Sequence, residues 1–366
     1  MARTSEPTSR QASIPPGISR RSFIRRAGAS AAGAAVLGGP FLNTAFGADR
    51  KKFHSAAKRP TCVATVGQDK VVTSDDDGHL IQWQVDGAVT NPIMSAANHA
   101  SKKAAFVAFS NTTAHPRAFT AGYDGTVILH DLNNLADANA PRFGHHKDGD
   151  PKREVWVVAV SPDGKQAVSS TNDGQILLWD PANPAGPATP FGDFHDPVGG
   201  LAFIPRADGT PTEFLSTHAG GDVHQWNITK SKDPGYAWSH DNDLPVNAVA
   251  VDKSGKFFIS ASFDLTLQVW DLANRDSRKP LKTLRGHKNW VWRVAISPDS
   301  DLAASAGEDG YVHVWKLNGG DKNVQPWKSF GRFEEGVMGV TFTRQNRIVF
   351  TSGASKIEHP LTVQRI

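Results

Sequence analysis

Residues 294–317 read VAISPDSDLAASAGEDGYVHVWKL. An apolar run stops at a Ser-Pro-Asp-Ser turn, and a second short run, Leu302–Gly307, stops at Glu-Asp-Gly. A third run then alternates towards Trp315. Alternation with period two is the mark of a strand with one face buried. The breaks have a local cause: Pro presets φ, Gly accepts positive φ, and Asp or Ser bonds its own backbone. A unit of such short strands cannot bury both of its faces alone, so the stretch predicts a repeat that needs neighbours.

Six segments recur in this form: DDGHLIQWQV (76–85), YDGTVILHDL (123–132), NDGQILLWDP (172–181), GGDVHQWNI (220–228), FDLTLQVWDL (263–272) and EDGYVHVWKL (308–317). Anchored on Trp83, His130, Trp179, Trp226, Trp270 and Trp315, they are 47, 49, 47, 44 and 45 residues apart. A degraded seventh copy, Leu361–Ile366, puts Gln364 at the Trp position, 49 residues further on. A period near 45 with strand alternation predicts four-stranded blades stacked radially. The 33 Gly, 23 Pro and 10 Trp suit many turns and large buried aromatics.

These repeats resemble the WD40 family over about residues 53–366. Gly286-His287 and Gly144-His145 carry its Gly-His marker, and His54, His99, His195 and His240 fall at similar places. Asp77, Asp124, Asp173, Asp264 and Asp309 match its turn aspartate. The resemblance implies an all-β, seven-bladed propeller in which Asp, His, Trp and a strand Ser or Thr form a hydrogen-bonded network in each blade. Gly220 at one Asp position, and Arg332, Glu358 and Gln364 in the last copy, depart from the pattern, so one network is expected to be rewired through Asp222 or Glu358. The last copy ends on its third strand. Residues 52–58 are expected to supply the fourth, closing the ring with an N-terminal strand on the last blade and leaving no open edge.

Residues 1–48 read as an address rather than as fold. A basic start is followed by a mild Ala/Gly-rich stretch, Ala27 to Leu42, and by small residues before Asp49. Ser19-Arg20-Arg21-Ser22-Phe23-Ile24-Arg25 resembles the twin-arginine (Tat) consensus. The expected organisation is a Tat-type signal peptide over 1–48, cleaved after Ala48, and a propeller over 49–366. The expected location is the periplasm, or otherwise outside the cytoplasmic membrane. Gly38, Gly39 and Pro40 interrupt the apolar stretch, which argues against a stable membrane span after cleavage.

The net charge of +4 belongs mostly to this leader, with its six arginines and one acid. The rest of the chain holds 34 basic and 35 acidic residues, so it has no overall positive field for a phosphate backbone, and no nucleic-acid partner is expected. The single cysteine, Cys62, excludes an intrachain disulfide and reads as a small buried hydrophobe.

Fourteen histidines invite a metal reading, but most sit at repeat-spaced positions and spread around the ring. No cofactor is expected. The weak alternative is a cation near the adjacent pair His145 and His146. Asp75-Asp76-Asp77-Gly78 lacks the rest of a calcium loop. No G-x-S-x-G, H-E-x-x-H or phosphate loop appears, so no catalytic residue is assigned. Recognition by loops on one propeller face is the better expectation. The residues that begin the inner strands are the candidates: Arg153, Glu154 and Trp156 in one blade; Asp243 and Asn247 in another; Lys288, Trp290 and Trp292 in a third. Aromatics beside charges resemble an interface hot spot, although the same indoles can serve as channel packing. The expected function is that of an exported scaffold binding another protein or a peptide. The alternative is an exported propeller enzyme or a cofactor-bearing subunit of a redox or metal-handling system.

Overall fold

A computed structural model of the chain describes residues 50–53, 60–66, 70–85, 92–100, 103–110, 116–144, 153–193, 196–208, 210, 212–230, 234–240, 242–275, 277–331, 333, 335–343, 345, 347–352 and 361–366. The leader, His54, Lys58, Arg59, His145, His146, His195, Arg332 and Glu358 lie outside them.

Seven sheets form, one per repeat, each built on four antiparallel strands. Their inner strands are Pro60–Val66, Ala104–Ser110, Val155–Val160, Val198–Phe203, Val246–Val251, Val291–Ile296 and Val337–Phe342. Each packs against the next, and the seventh packs against the first, so the blades make a ring. Six sheets run in chain order from inner to outer strand. In the seventh, Arg50–Phe53 lies outside Leu361–Arg365, with Arg50 opposite Gln364 and Phe53 opposite Leu361.

The apolar core lies between blades, as the alternation predicts. Ile259, Leu267, Val269 and Leu284 of blade five meet Val291, Val294, Ala303 and Trp315 of blade six. Gly200 and Gly339 occur where neighbouring backbones come close. A Cβ on Gly200 would stand 3.0 Å from the Ala248 Cα, and one on Gly339 would stand 3.0 Å from the Val63 nitrogen. The turns before the third strands adopt positive φ at Gly78, Gly125, Gly174 and Gly310 of Asp-Gly and at Gly221 of Gly-Gly; blade five does the same with Leu265, at φ 74°. An L-residue with a side chain held there costs about 1–2 kcal/mol. One strand was not legible in the repeat pattern. Asn323–Val324 pairs in parallel with Lys282–Arg285 and covers the outer edge of blade five.

The polar network of each blade is a directed relay. In blade six the Trp315 Nε1–H donates to Ser305 Oγ (3.0 Å), and the Ser305 hydroxyl meets His287 Nε2 (2.7 Å). His287 Nδ1 then faces the Asp309 carboxylate (3.0 Å). A carboxylate only accepts, so Nδ1 carries the imidazole proton and Nε2 accepts from the serine. Blade five repeats the relay with Trp270, Ser260, His240 and Asp264. Burial alone would raise Asp264 and Asp309, but the hydrogen bonds from the histidine and from the turn, Thr266 at Asp264 and the Lys288 and Tyr311 amides at Asp309, outweigh it and hold both carboxyls below their ordinary range.

Three blades vary the theme. In blade two, His130 Nε2 takes the place of the indole on Thr120 (2.9 Å), and Thr120 meets His99 (2.8 Å). In blade four the described partners of the central hydroxyl do not include Asp222, and Glu358, the other expected route, lies outside the described residues. Ser216 accepts from Trp226 (2.8 Å) and meets His218 Nε2 (2.7 Å), so the histidine comes from the blade's own second strand. In blade one the turn amides of Asp77 and His79 donate to Asp75, two residues before the expected Asp77.

Candidate functional site

Every inner strand carries a β-bulge at its start, between Pro60 and Cys62, Ala104 and Phe106, Val155 and Val157, Val198 and Gly200, Val246 and Ala248, Val291 and Arg293, and Val337 and Gly339. A bulge inserts one unpaired residue and re-aims its side chain. The inserted residues are Thr61, Ala105, Trp156, Gly199, Asn247, Trp292 and Met338, and all seven line one cavity at the channel mouth. Small side chains and large ones are mixed around the ring, so the mouth is lopsided. The cavity is about 70 Å³. A small-molecule pocket is typically about 300–1,000 Å³, so the space suits one side-chain head rather than a whole ligand.

Of the predicted face residues, the structure brings Trp156, Asn247 and Trp292 together on this cavity. Trp156 is half-buried and donates its indole N–H to Glu154 (3.0 Å). Trp292 is only 7% exposed and donates to Glu308 in the facing turn (2.7 Å). Phe263 stacks on Trp290 at 4.7 Å and meets Trp292 edge-on at 5.3 Å. This cluster fixes the mouth on the side of blades five and six. Asn247 donates to the Trp292 carbonyl (3.0 Å), tying two blades together. Arg153 is held by Asp173 (2.7 Å) beside the mouth. Lys288 and Asp243 are exposed on the adjoining loops, Asp243 at φ 52°.

Repeat reading missed four ring positions, Thr61, Ala105, Gly199 and Met338, and also Lys103, Tyr123, Phe263 and Arg293 on the same cavity. The signal was present: each ring residue follows the first residue of an inner strand by one. Lys103 lies over the Tyr123 ring at 5.4 Å. Burial keeps the Tyr123 hydroxyl protonated well above its ordinary range, and Glu154 and Asp76 add to the shift.

Among the described residues one group has metal-ligand spacing: His287, Asp309 and His313, with donor atoms within 4.8 Å of one another. Its donors are already used in building the blade. His287 bonds Asp309 and Ser305, and His313 Nδ1 bonds Ser329 (2.8 Å). Cys62 is buried. No helix among the described residues is long and apolar enough to cross a membrane.

Comparison with known proteins agrees with this architecture. Residues 142–180, 235–271 and 278–316 match the family model described as WD domain, G-beta repeat. The target of rapamycin complex subunit wat1 of Schizosaccharomyces pombe is 24% identical over 192 residues, which is 52% of this chain and 57% of that protein. The transcriptional corepressor LEUNIG_HOMOLOG of Arabidopsis thaliana is 26% identical over 203 residues, 55% of this chain and 23% of that protein. The chain thus spans less than two thirds of either relative. Their names are those of a complex subunit and a corepressor rather than of catalysts, in keeping with a sequence that holds no catalytic motif. The solved WD40 β-propeller domain of Doa1 superposes with a TM-score of 0.66 at 16% identity, covering 86% of this chain and 94% of that domain. The seven sheets, the Trp–Ser–His–Asp relays and these likenesses together make the fold a seven-bladed β-propeller of the WD40 type.

Proposed function

We propose that this protein is a non-catalytic interaction module, exported by the twin-arginine route, that holds a protein or peptide partner against its channel-mouth face. The observation that carries the reading is the convergence of one bulge residue from every blade on a single small cavity. Rigid blades fix the mouth, the bonded indoles of Trp156 and Trp292 keep its shape, and exposed loop residues such as Lys288 and Asp243 surround it. Binding here needs no bond chemistry. The roles named for the relatives, a complex subunit and a corepressor, support the same class of function. Export rests on the leader sequence alone, through Arg20-Arg21 and the residues around them.

The test is crosslinking of tagged full-length protein in its native cells, with recovery outside the cytoplasmic membrane and mass spectrometry of what is bound. Trp156→Ala combined with Asn247→Ala should lower capture about tenfold. Lys165→Ala, an exposed position on an inner-strand turn away from the mouth, should leave it unchanged. Equal capture by the double variant would remove the face from consideration. Recovery only from the cytoplasm would remove export.

The segment after the leader has a structural role in the same proposal, because residues 50–53 clasp the last blade and fasten the ring. Deleting them along with the leader should cost about 2–4 kcal/mol in urea unfolding, for a short ladder of hydrogen bonds. Deleting residues 1–48 alone should cost nothing. A chain without 50–53 that unfolds at the wild-type urea concentration would refute the clasp.

A further inference from the structure

One layer below the bulge ring, the inner strands present Cys62, Phe106, Val157, Gly200, Ala248, Arg293 and Gly339. Arg293 is the one charged side chain in this layer, and it lines the channel-mouth cavity. Its guanidinium carbon lies 4.8 Å from the centre of the Phe106 ring, so the side chain reaches from blade six to blade two. Its Nη1 donates to the Trp292 carbonyl (2.8 Å), the same oxygen that accepts from Asn247. The position is therefore fixed from both ends.

What Arg293 lacks is a counter-ion. Its Nε–H is buried without an acceptor, and among the described residues no carboxylate lies within 4 Å of its guanidinium. The acids beside the mouth, Glu154 and Glu308, bond Trp156 and Trp292 instead. A second cation, Lys103, lines the same cavity. A partly desolvated guanidinium with unused donors is costly unless an anion pairs with it. Its planar fork matches a carboxylate better than any other common partner.

We infer that the cavity is a carboxylate socket, and that Arg293 receives an acidic side chain of the partner peptide. The inference rests on the proposed binding face and names the chemistry that the face selects. The cavity, about 70 Å³ and open to solvent, has room for a carboxylate head presented on a peptide. Phe106 backs the guanidinium, and the ring of Thr61, Trp156, Asn247 and Trp292 surrounds the entrance.

The experiment uses the full chain and three fluorescein-labelled peptides, read by anisotropy. The first is an amidated octapeptide alternating glycine and glutamate, the second is its glutamine counterpart, and the third is a glycine peptide whose only carboxylate is C-terminal. The glutamate peptide should bind at least about tenfold more tightly than the glutamine one, and Arg293→Gln should erase that preference. Arg293→Lys should keep only part of it, because a point charge replaces the fork. Thermal unfolding of each variant near the wild-type temperature certifies the fold. Preference for the C-terminal carboxylate would overturn the side-chain assignment. Equal competition by free acetate would overturn the peptide. Full preference retained in Arg293→Gln, or no preference in the wild type, would overturn the socket. The binding face itself would still stand if crosslinked capture depended on Trp156 and Asn247 and not on Arg293.

Discussion

Lowering the pH from 7 to 5 should destabilise the folded chain by about 4–6 kcal/mol, well before its carboxylates titrate. The cause is four histidines built into the blades, His130, His218, His224 and His313, each held below its ordinary range chiefly by burial. Burial is the main force pushing His130 and His218 down to about 3 and His313 down to about 4. Neighbouring charge adds to it, from His99 and Arg142 at His130, from His224 at His218 and from His287 at His313. In the unfolded chain all four return to about 6.5. Between these values the unfolded chain binds protons that the folded chain refuses. The stabilisation is therefore complete above about pH 6.5 and is lost progressively as the pH falls, down to about 4 for His313 and about 3 for His130 and His218, at about 1.4 kcal/mol per unit for each group.

The lowered carboxyls of Asp124, Asp264 and Asp309 do not confuse the reading. Their contribution is present above the ordinary carboxylate value and disappears only below it. Urea unfolding at pH 7, 6 and 5 measures the slope. His130→Trp is the informative variant. It restores the indole that the other complete blades use, and it fills a cavity of about 150 Å³ beside Leu129, Leu135 and Pro141. It should add about 1–2 kcal/mol at pH 7. It should also make the slope measurably shallower, because one of the four lowered histidines is gone. A slope unchanged by this substitution would refute the histidine account.

Ser305→Ala should cost about 2–4 kcal/mol, although it removes a single oxygen. That oxygen serves two buried groups at once, the Trp315 Nε1–H at 3.0 Å and His287 Nε2 at 2.7 Å. Trp315 is wholly buried and His287 is 6% exposed, so neither finds water when the hydroxyl goes. The loss also frees His287 to tilt away from Asp309, weakening the link between loop and turn at the edge of the binding face. Urea unfolding checks the magnitude, and a double-mutant cycle checks the cause. On a Trp315→Phe background, where no indole N–H is left stranded, Ser305→Ala should cost at least about 1 kcal/mol less. Equal costs on the two backgrounds would mean that packing, not the relay, sets the effect.

Legibility followed repetition. Spacing of Trp83, Trp179, Trp226, Trp270 and Trp315 exposed the blades because each indole meets the same local demand: a buried edge and a hydroxyl ten residues earlier in the chain. The histidines and aspartates of blades five and six were readable as construction for the same reason. Where a blade departed from the pattern, reading failed. His218 in blade four and Asp75 in blade one stand at the same place, eight residues before the anchoring Trp, where the repeat pattern flagged no polar role: His218 meets the Ser216 hydroxyl, and Asp75 accepts from the turn amides of Asp77 and His79. Trp156, Asn247 and Trp292 were visible as polar or aromatic starts of strands. Their companions Ala105, Gly199 and Met338 carry no chemical flag.

The amino-acid sequence by itself determined the strands, their turns and the number of blades, since alternation, turn residues and a hydroxyl–indole pair act over a few residues within each repeat. Only the tertiary structure decided what faces the channel. Seven bulges, each a one-residue irregularity, bring seven unrelated residues, six side chains and Gly199, to a common centre, and that convergence depends on ring closure across more than 270 residues between Thr61 and Met338. It is also the ring that sets Arg293 over Phe106 with no carboxylate of the described residues within 4 Å, because a charge becomes unpaired only when everything around it is in place.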